Sequence, residues 1–299
     1  MLSGERLGGR HSSELFADAA IRFLDDYDSD DPFYVYVAFT APHDPRQPPA
    51  EYAEPYYERL PALPENFLPQ HPFDNGAMAI RDERLASWPR TEADVQDQLA
   101  EYYGLITHLD GQVGRILNAL ADSPHAERTL IIYAADHGLA VGSHGLLGKQ
   151  NLYEHSTRVP FIAVGPGIKA GAKNDSPMYL QDVHPTTLEL AGAKPADKVE
   201  FKSLLPVLRG KTDKHAYDAI HGAYLGLQRS VTVDGWKLIV YPQVNKARLY
   251  NISEDPFEKN DLAGNTKQAL RVKRLFARLL ALQKQMGDKV DLKAAFHEL

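Results

Sequence analysis

Residues 129–154, TLIIYAADHGLAVGSHGLLGKQNLYE, restrict the folds open to this chain more than any other stretch. Thr129 to Ala135 is a short apolar run, rich in β-branched and aromatic side chains and bounded by polar sequence, which is how a fully buried parallel strand reads. At its carboxyl end the polarity switches to Asp136-His137-Gly138, then to a loop carrying Gly142, His144, Gly145, Gly148 and Lys149. In open α/β sheets ligands bind outside the carboxyl ends of the strands, so an acid and an imidazole there are placed for chemistry. Asp136 can offer a hard cation a carboxylate oxygen and neutral His137 a ring nitrogen, which makes the pair candidate metal ligands. Lys149 supplies a positive point charge suited to an anionic substrate.

A second apolar run, Phe33 to Phe39, also ends in polar chemistry, at Thr40-Ala41-Pro42-His43-Asp44. Two strands delivering histidine and aspartate at the same end mark a site better than either alone. Between the runs, Thr91 to Ala121 carries Leu99, Tyr102, Ile106, Leu109, Val113, Ile116, Leu117 and Leu120 at helical spacing, with Thr91 and Asp94 as a capping pair. Strand, helix and strand predict a right-handed crossover with both strands parallel in one sheet. Ser13 to Tyr27 reads as an amphipathic helix capped by Ser12 or Ser13, and Arg158 to Gly165 as a third strand. Residues 45–89 are rich in Pro, Tyr and acid without a sustained period, which suits an excursion over the site.

After Gly210 the pattern changes to short strands, at Arg229 to Val233, Trp236 to Tyr241 and Arg248 to Tyr250, with an Asp234-Gly235 turn and a helix from about Gln268 to Met286. The predicted architecture is therefore α/β: a mostly parallel sheet flanked by helices over residues 1–210, then a small antiparallel sheet plus helix over residues 211–299. The 299 residues, 43% hydrophobic and 24% charged, suffice for that arrangement. A formal charge of −7 argues against a nucleic-acid surface. No run reaches transmembrane length, and MLSGERLGGRHSSE lacks the apolar core of a signal peptide, so location stays open. Zero cysteines exclude disulfides and zinc-thiolate sites.

DHG followed by GSHGLLGKQNLYEHSTRVPFI resembles the carboxyl-terminal half of the sulfatase family, within the alkaline-phosphatase superfamily. The APHDP of Ala41 to Pro45, the YYGLITHLDGQVGRILNAL from Tyr102 and the LYNISEDPFEKNDL of Leu249 to Leu262 agree with it. The resemblance implies an alkaline-phosphatase-like fold and hydrolysis of sulfate esters on a small molecule or glycan. It implies a divalent metal, calcium or magnesium, held partly by Asp136 and His137. It also implies that Lys149 contacts the sulfate oxygens, and that His43 binds substrate or handles a proton near the sulfate. For complete relatives the resemblance implies an exported enzyme, usually periplasmic or secreted. Read without the resemblance, Asp136-His137 also suits a helix cap with a polar neighbour, His43 a structural histidine and Lys149 a solvated surface lysine.

Sulfatases use a formylglycine made from Cys or Ser within C/S-x-P-x-R, with a pair of aspartates after the first strand. No serine here heads that pattern: Ser87-Trp-Pro-Arg90 has its arginine at the wrong offset, and Asp30-Asp31 precedes its strand. The expectation is a chain that starts late in the family pattern, has no formylglycine precursor, is inactive alone and is completed by an amino-terminal sulfatase segment. The alternatives are a truncated non-catalytic module that binds anions, and, ranked last, a metal phosphodiesterase. His144 reads as a loop-ordering residue. Asp110, His108, Asp182 and His184 read as local structure on helices, Glu154 and His155 as equally structural or substrate-facing. Tyr52, Tyr56, Tyr57, His71, Asp74, Asn75 and Arg81 are candidates for touching a sugar.

Overall fold

The computed structural model describes residues 9–297, so most of the stretch read for a signal peptide lies outside the described residues. The chain divides into two compact units, Met1–Leu63 with Thr91–Thr129, and Pro64–Arg90 with Leu130–Leu299. Among the described residues, no helix is long and apolar enough to cross a membrane.

The first unit packs α1 (Ser12–Asp26) and α2 (Ala50–Glu58) against the 30-residue α3 (Glu92–Ala121). Thr91 caps α3 as predicted, its Oγ1 accepting from Asp94 N at 3.1 Å. The cap of α1 is neither serine: His11 Nδ1 accepts from Ser13 N at 3.2 Å, and Ser13 is buried inside the helix. The buried face of α3 runs through Leu99, Ala100, Gly104, Leu105 and Leu109, while Ile106 and Leu117 stay exposed. Small residues let the helices approach, since a Cβ on Gly104 would lie 3.0 Å from Ala53 Cα. Asp18 of α1 accepts from Arg115 of α3 at 2.6 Å.

Residues 33–39 correct the prediction of a buried parallel strand. They carry no strand ladder: Phe33 packs on Phe23 and Tyr27 and Phe39 on Phe16, while Tyr34, Val35 and Tyr36 are exposed, the two tyrosines at 71% and 78%. The rings of α1 cover only one side of this run. No parallel ladder is present among the described residues.

In the second unit β1 (Ile131–Ala134) pairs antiparallel with β2 (Phe161–Val164), Ile131 opposite Val164 and Ala134 opposite Phe161. The expected strands exist, but their mutual pairing is antiparallel. They are only half-buried, with Tyr133, Ile162 and Val164 exposed. The one-turn α4 (Glu154–Thr157) precedes β2, and α5 (Val183–Leu190) and α6 (Leu205–Leu208) follow it. The carboxyl-terminal sheet is antiparallel as predicted, with one strand beyond the three expected. Its strands β3 (Ile220–Tyr224), β4 (Gln228–Val233), β5 (Trp236–Tyr241) and β6 (Lys246–Asn251) form a four-stranded antiparallel meander. Asp234 and Gly235, both at positive φ, turn β4 into β5. The helix α7 (Ala269–Gln285) packs on this sheet, and the short α8 (Leu292–Ala295) closes the described chain.

Alternation along β5 places the candidate site. Leu238 and Val240 join a core with Leu275 and Leu279 of α7. Ile239 and Tyr241, facing the other way, join Ala140, Leu146, Leu152 and Tyr153. The sheet is therefore covered on one face by a helix and on the other by the loop that carries Lys149.

Candidate functional site

The loop after β1 is a closed, buried structure. Ala140 N donates to Gly148 O at 3.1 Å and Gly142 N to Leu146 O at 2.7 Å, so residues 140–148 fold back on themselves. Two glycines are dictated by backbone approach. Gly138 N donates to Ser156 O at 3.0 Å, and a Cβ there would collide with the His155 carbonyl oxygen. Gly145 sits at φ +74° against the backbone of Gln70 and His71. The fold-back returns the chain at Gly148 to Ala140, four residues past Asp136. Lys149 and the Asp136-His137 pair thus flank the base of one loop.

Two adjacent acids hold that loop. Glu83, buried, accepts from Leu147 N at 3.0 Å and Gly148 N at 2.8 Å, and from the fully buried Arg90 guanidinium at 2.7 Å. Asp82, also buried, accepts from Arg81 Nε and Gln150 Nε2, each at 2.7 Å, and lies 3.3 Å from Lys149 Nζ. Burial pushes the Asp82 carboxyl up, but hydrogen bonds from Gln150, Arg81 and Lys149 outweigh it and hold the acid down at about 2.

Behind the loop lies a cluster of neutral imidazoles. His71 Nδ1 donates to Phe73 O at 2.7 Å, which leaves Nε2 to accept from the Tyr153 hydroxyl at 3.1 Å. His144 stacks on Tyr153 with ring centroids 3.9 Å apart, its Nε2 accepting from the Asn66 amide at 3.1 Å. Burial lowers His71 to about 4 and His144 to about 3, and pushes His155 well below its ordinary range. His144 is loop-ordering, as its position suggested, and His71 belongs to this buried cluster. Glu154 bonds Lys237 Nζ at 2.9 Å, within a buried group that includes Glu258.

Asp136 and His137 sit just beyond β1. The Asp136 side chain is 82% exposed, and its Oδ1 accepts from His137 N at 3.0 Å. His137 Nδ1 donates to Gly138 O at 3.0 Å, which fixes the tautomer and leaves a lone pair on Nε2, 3.5 Å from Asp136 Oδ2. The pair supplies two donors. No group of three or more His, Cys, Asp or Glu among the described residues could hold a metal ion. Calcium takes about six to eight oxygens, so these residues by themselves do not fit it.

His43 belongs to the other compact unit. It follows residues 33–39 in a turn closed by His43 N to Thr40 O at 3.0 Å, and its Nδ1 donates to Asp44 O at 2.7 Å. His108 is buried on α3 between His11 and Tyr52, and Tyr57 donates to Asp97 and Glu101. Asp182 is more than a helix cap. Fully buried, it accepts from Tyr179 N, Lys202 N and the Tyr217 hydroxyl.

Sequence reasoning missed Asp82 and Glu83. Their only local signal was an acidic pair bracketed by Arg81, Arg84 and Arg90 inside a Pro-rich stretch.

Residues 3–193 match the sulfatase family, and residues 142–285 match the carboxyl-terminal family of N-sulphoglucosamine sulphohydrolase. The chain is 28% identical to a sulfatase of Formosa agariphila over 83% of its length and 49% of that protein's. It is 26% identical to arylsulfatase K of Xenopus laevis over 80% of this chain and 50% of that one. It spans about half the length of these curated relatives. Among solved structures it superimposes, with a TM-score of 0.80 and 22% identity, on a protein bound to its substrate D-glucosamine-2-N,6-O-disulfate, covering 96% of this chain and 72% of that one. That likeness carries the α/β fold. The family match, over well more than half of the residues, carries the assignment: this chain belongs to the sulfatase family.

Proposed function

We propose that this chain is the sulfate-binding portion of a sulfate-ester hydrolase acting on a sulfated sugar, with Lys149 as the ligand of the sulfate oxygens. The observation that carries the reading is how Lys149 is held. A flexible cation is delivered by a buried loop whose backbone Glu83 anchors and whose head group lies beside Asp82. A lysine so restrained loses less rotamer entropy when an oxyanion arrives, and a fixed positive charge stabilises negative charge developing on sulfate. The sugar is carried over from the structural neighbour solved with a disulfated glucosamine and from the N-acetylglucosamine-6-O-sulfatase of Bacteroides thetaiotaomicron, 29% identical over 70% of this chain.

The remaining roles rest on the same reading. His43 carries or orients a proton near the sulfate. Asp136 and His137 contribute two donors toward the divalent metal that sulfatases generally use, and other ligands must complete the set. Residues 1–210 read as the later part of the catalytic α/β domain and 211–299 as a small appended subdomain. With no C/S-x-P-x-R segment among the 299 residues, the chain binds sulfate but does not turn it over until a complementary sulfatase segment supplies the nucleophile.

Calorimetric titration of glucosamine 6-sulfate into the wild-type chain and Lys149→Ala tests this reading. Saturable binding that the substitution abolishes is expected. Equal binding by both proteins removes Lys149 from the site, and hydrolysis by the purified chain overturns the need for a partner segment.

A further inference from the structure

One stretch departs from the acidic character of the chain. Between Asp261 and Asp288 there is no acidic residue, whereas Lys267, Arg271, Lys273, Arg274, Arg278 and Lys284 all fall there, in a chain of formal charge −7. All but Lys267 lie on α7, whose inner face packs Val272, Leu275, Phe276 and Leu279 into the core below. At about 100° per residue, Arg271, Arg274 and Arg278 follow one flank of the helix, and Lys273 and Lys284 the other. The Arg271 guanidinium sits 3.7 Å from the centre of the Trp236 ring, and its Nε donates to Gln268 Oε1 at 3.0 Å. The side chain is thereby held, with its terminal nitrogens left for an anion. Arg274 is exposed, and Arg278 pairs with Asp218, whose side chain is 84% exposed. From Arg271 to Arg278 this flank extends about 10 Å.

We propose that the arginine flank of α7 is a docking surface for a sulfated polysaccharide, separate from the site at Lys149. This rests on the reading of the chain as acting on sulfated sugars. The sheet lies between the two places, because α7 covers one of its faces and the loop that carries Lys149 the other. The flank therefore meets units of a long glycan other than the one held at Lys149. Three features select this occupant. A guanidinium is a planar fork that offers paired donors to a tetrahedral oxyanion, and it stays charged at any working pH. A single glycan chain is narrow enough to follow one flank of one helix, whereas duplex nucleic acid would bring its charge against a protein that is acidic elsewhere. A membrane surface would need the apolar face of α7 to enter the lipid interface, and that face is packed into the core. Holding the polymer at a remote point raises the concentration of its sulfate esters around Lys149 without any new contact there.

The test uses end-labelled heparin as the probe and fluorescence anisotropy as the readout. Wild type should bind it. R271Q/R274Q/R278Q should weaken binding by on the order of tenfold or more and lower the slope of log affinity against log salt by about 2. K273Q/K284Q, on the opposite flank, should cost clearly less, and Lys149→Ala should leave heparin affinity close to wild type. Should the triple variant fail to fold, Arg274→Gln alone, at an exposed position, must still weaken binding. Heparin affinity unchanged by the arginine substitutions, or reduced as much by K273Q/K284Q or Lys149→Ala, overturns the docking surface. So does binding to phosphatidylglycerol vesicles that competes with heparin and is lost with the same arginines, which would make the flank a membrane contact. Calorimetry with glucosamine 6-sulfate keeps the two readings apart. Its binding should survive in R271Q/R274Q/R278Q, and its absence already in wild type would remove the reading of Lys149 while leaving heparin bound through the arginines.

Discussion

Acidification should unfold this protein well before its carboxylates titrate, because His71, His144 and His155 are buried and neutral in one cluster. Burial lowers His71 from 6.5 to about 4 and His144 from 6.5 to about 3, and His155 goes further in the same direction. Unfolded, each imidazole regains its ordinary value. Stability is therefore complete above about pH 6.5, where both states are neutral, and is lost as pH falls toward the folded-state values, because only the unfolded chain takes up protons. Each histidine contributes a slope of about 1.4 kcal/mol per pH unit, so the three together give about 4 kcal/mol per unit. Between about pH 6 and 4.5 the loss is roughly 6 kcal/mol, comparable with the whole stability of a typical domain. His11 and His221, also lowered by burial, act in the same direction. Urea titrations followed by tyrosine and tryptophan fluorescence over this range measure the slope directly. His144→Gln keeps an acceptor for Asn66 but cannot titrate, and should reduce the cluster's slope by about a third. A flat profile from about pH 7 to 5, or a slope that His144→Gln leaves unchanged, refutes the reasoning.

Other substitutions probe the support of the loop. Glu83→Gln leaves the fully buried Arg90 without its ionic partner and should cost about 3–5 kcal/mol in urea unfolding; a cost below 1 would mean that the pair does not hold the loop. Ile239→Ala, on the β5 face that packs against the loop core, should cost about 3 kcal/mol and weaken sulfate binding. Leu238→Ala, facing α7, should cost as much with less effect on binding, and equal losses of binding would contradict the two-faced assignment of β5. Calcium titrated into the chain alone should bind no tighter than about 1 mM, the weak end of protein calcium sites. Submicromolar binding abolished by Asp136→Asn would show that the donor set is larger than these two residues.

Local signals were legible in the sequence where local physics decides the outcome. The strands at 229–233 and 236–241 declared themselves by apolar content around an Asp-Gly turn, and α3 by its period and its Thr91 cap. Strand β3 escaped notice because His221 and Gly222 interrupt its pattern; pairing to β4 makes it a strand. The run at 33–39 read as a buried strand and is neither, since burial depends on what covers the second face. The same limit applies at the site. Asp136, His137 and Lys149 stand in one contiguous motif, whereas Glu83 bonds amides 64 and 65 residues away, and nothing in its own neighbourhood announces that partnership.

The account depends on an oxyanion meeting the ammonium of Lys149, and selenate, an isostere of sulfate with an anomalous X-ray signal, reports that position without any turnover. Diffraction at the selenium edge from selenate-soaked crystals should place an anomalous peak with an oxygen about 2.8 Å from Lys149 Nζ. Selenate bound only at other basic surface residues, with none at Lys149, would contradict it.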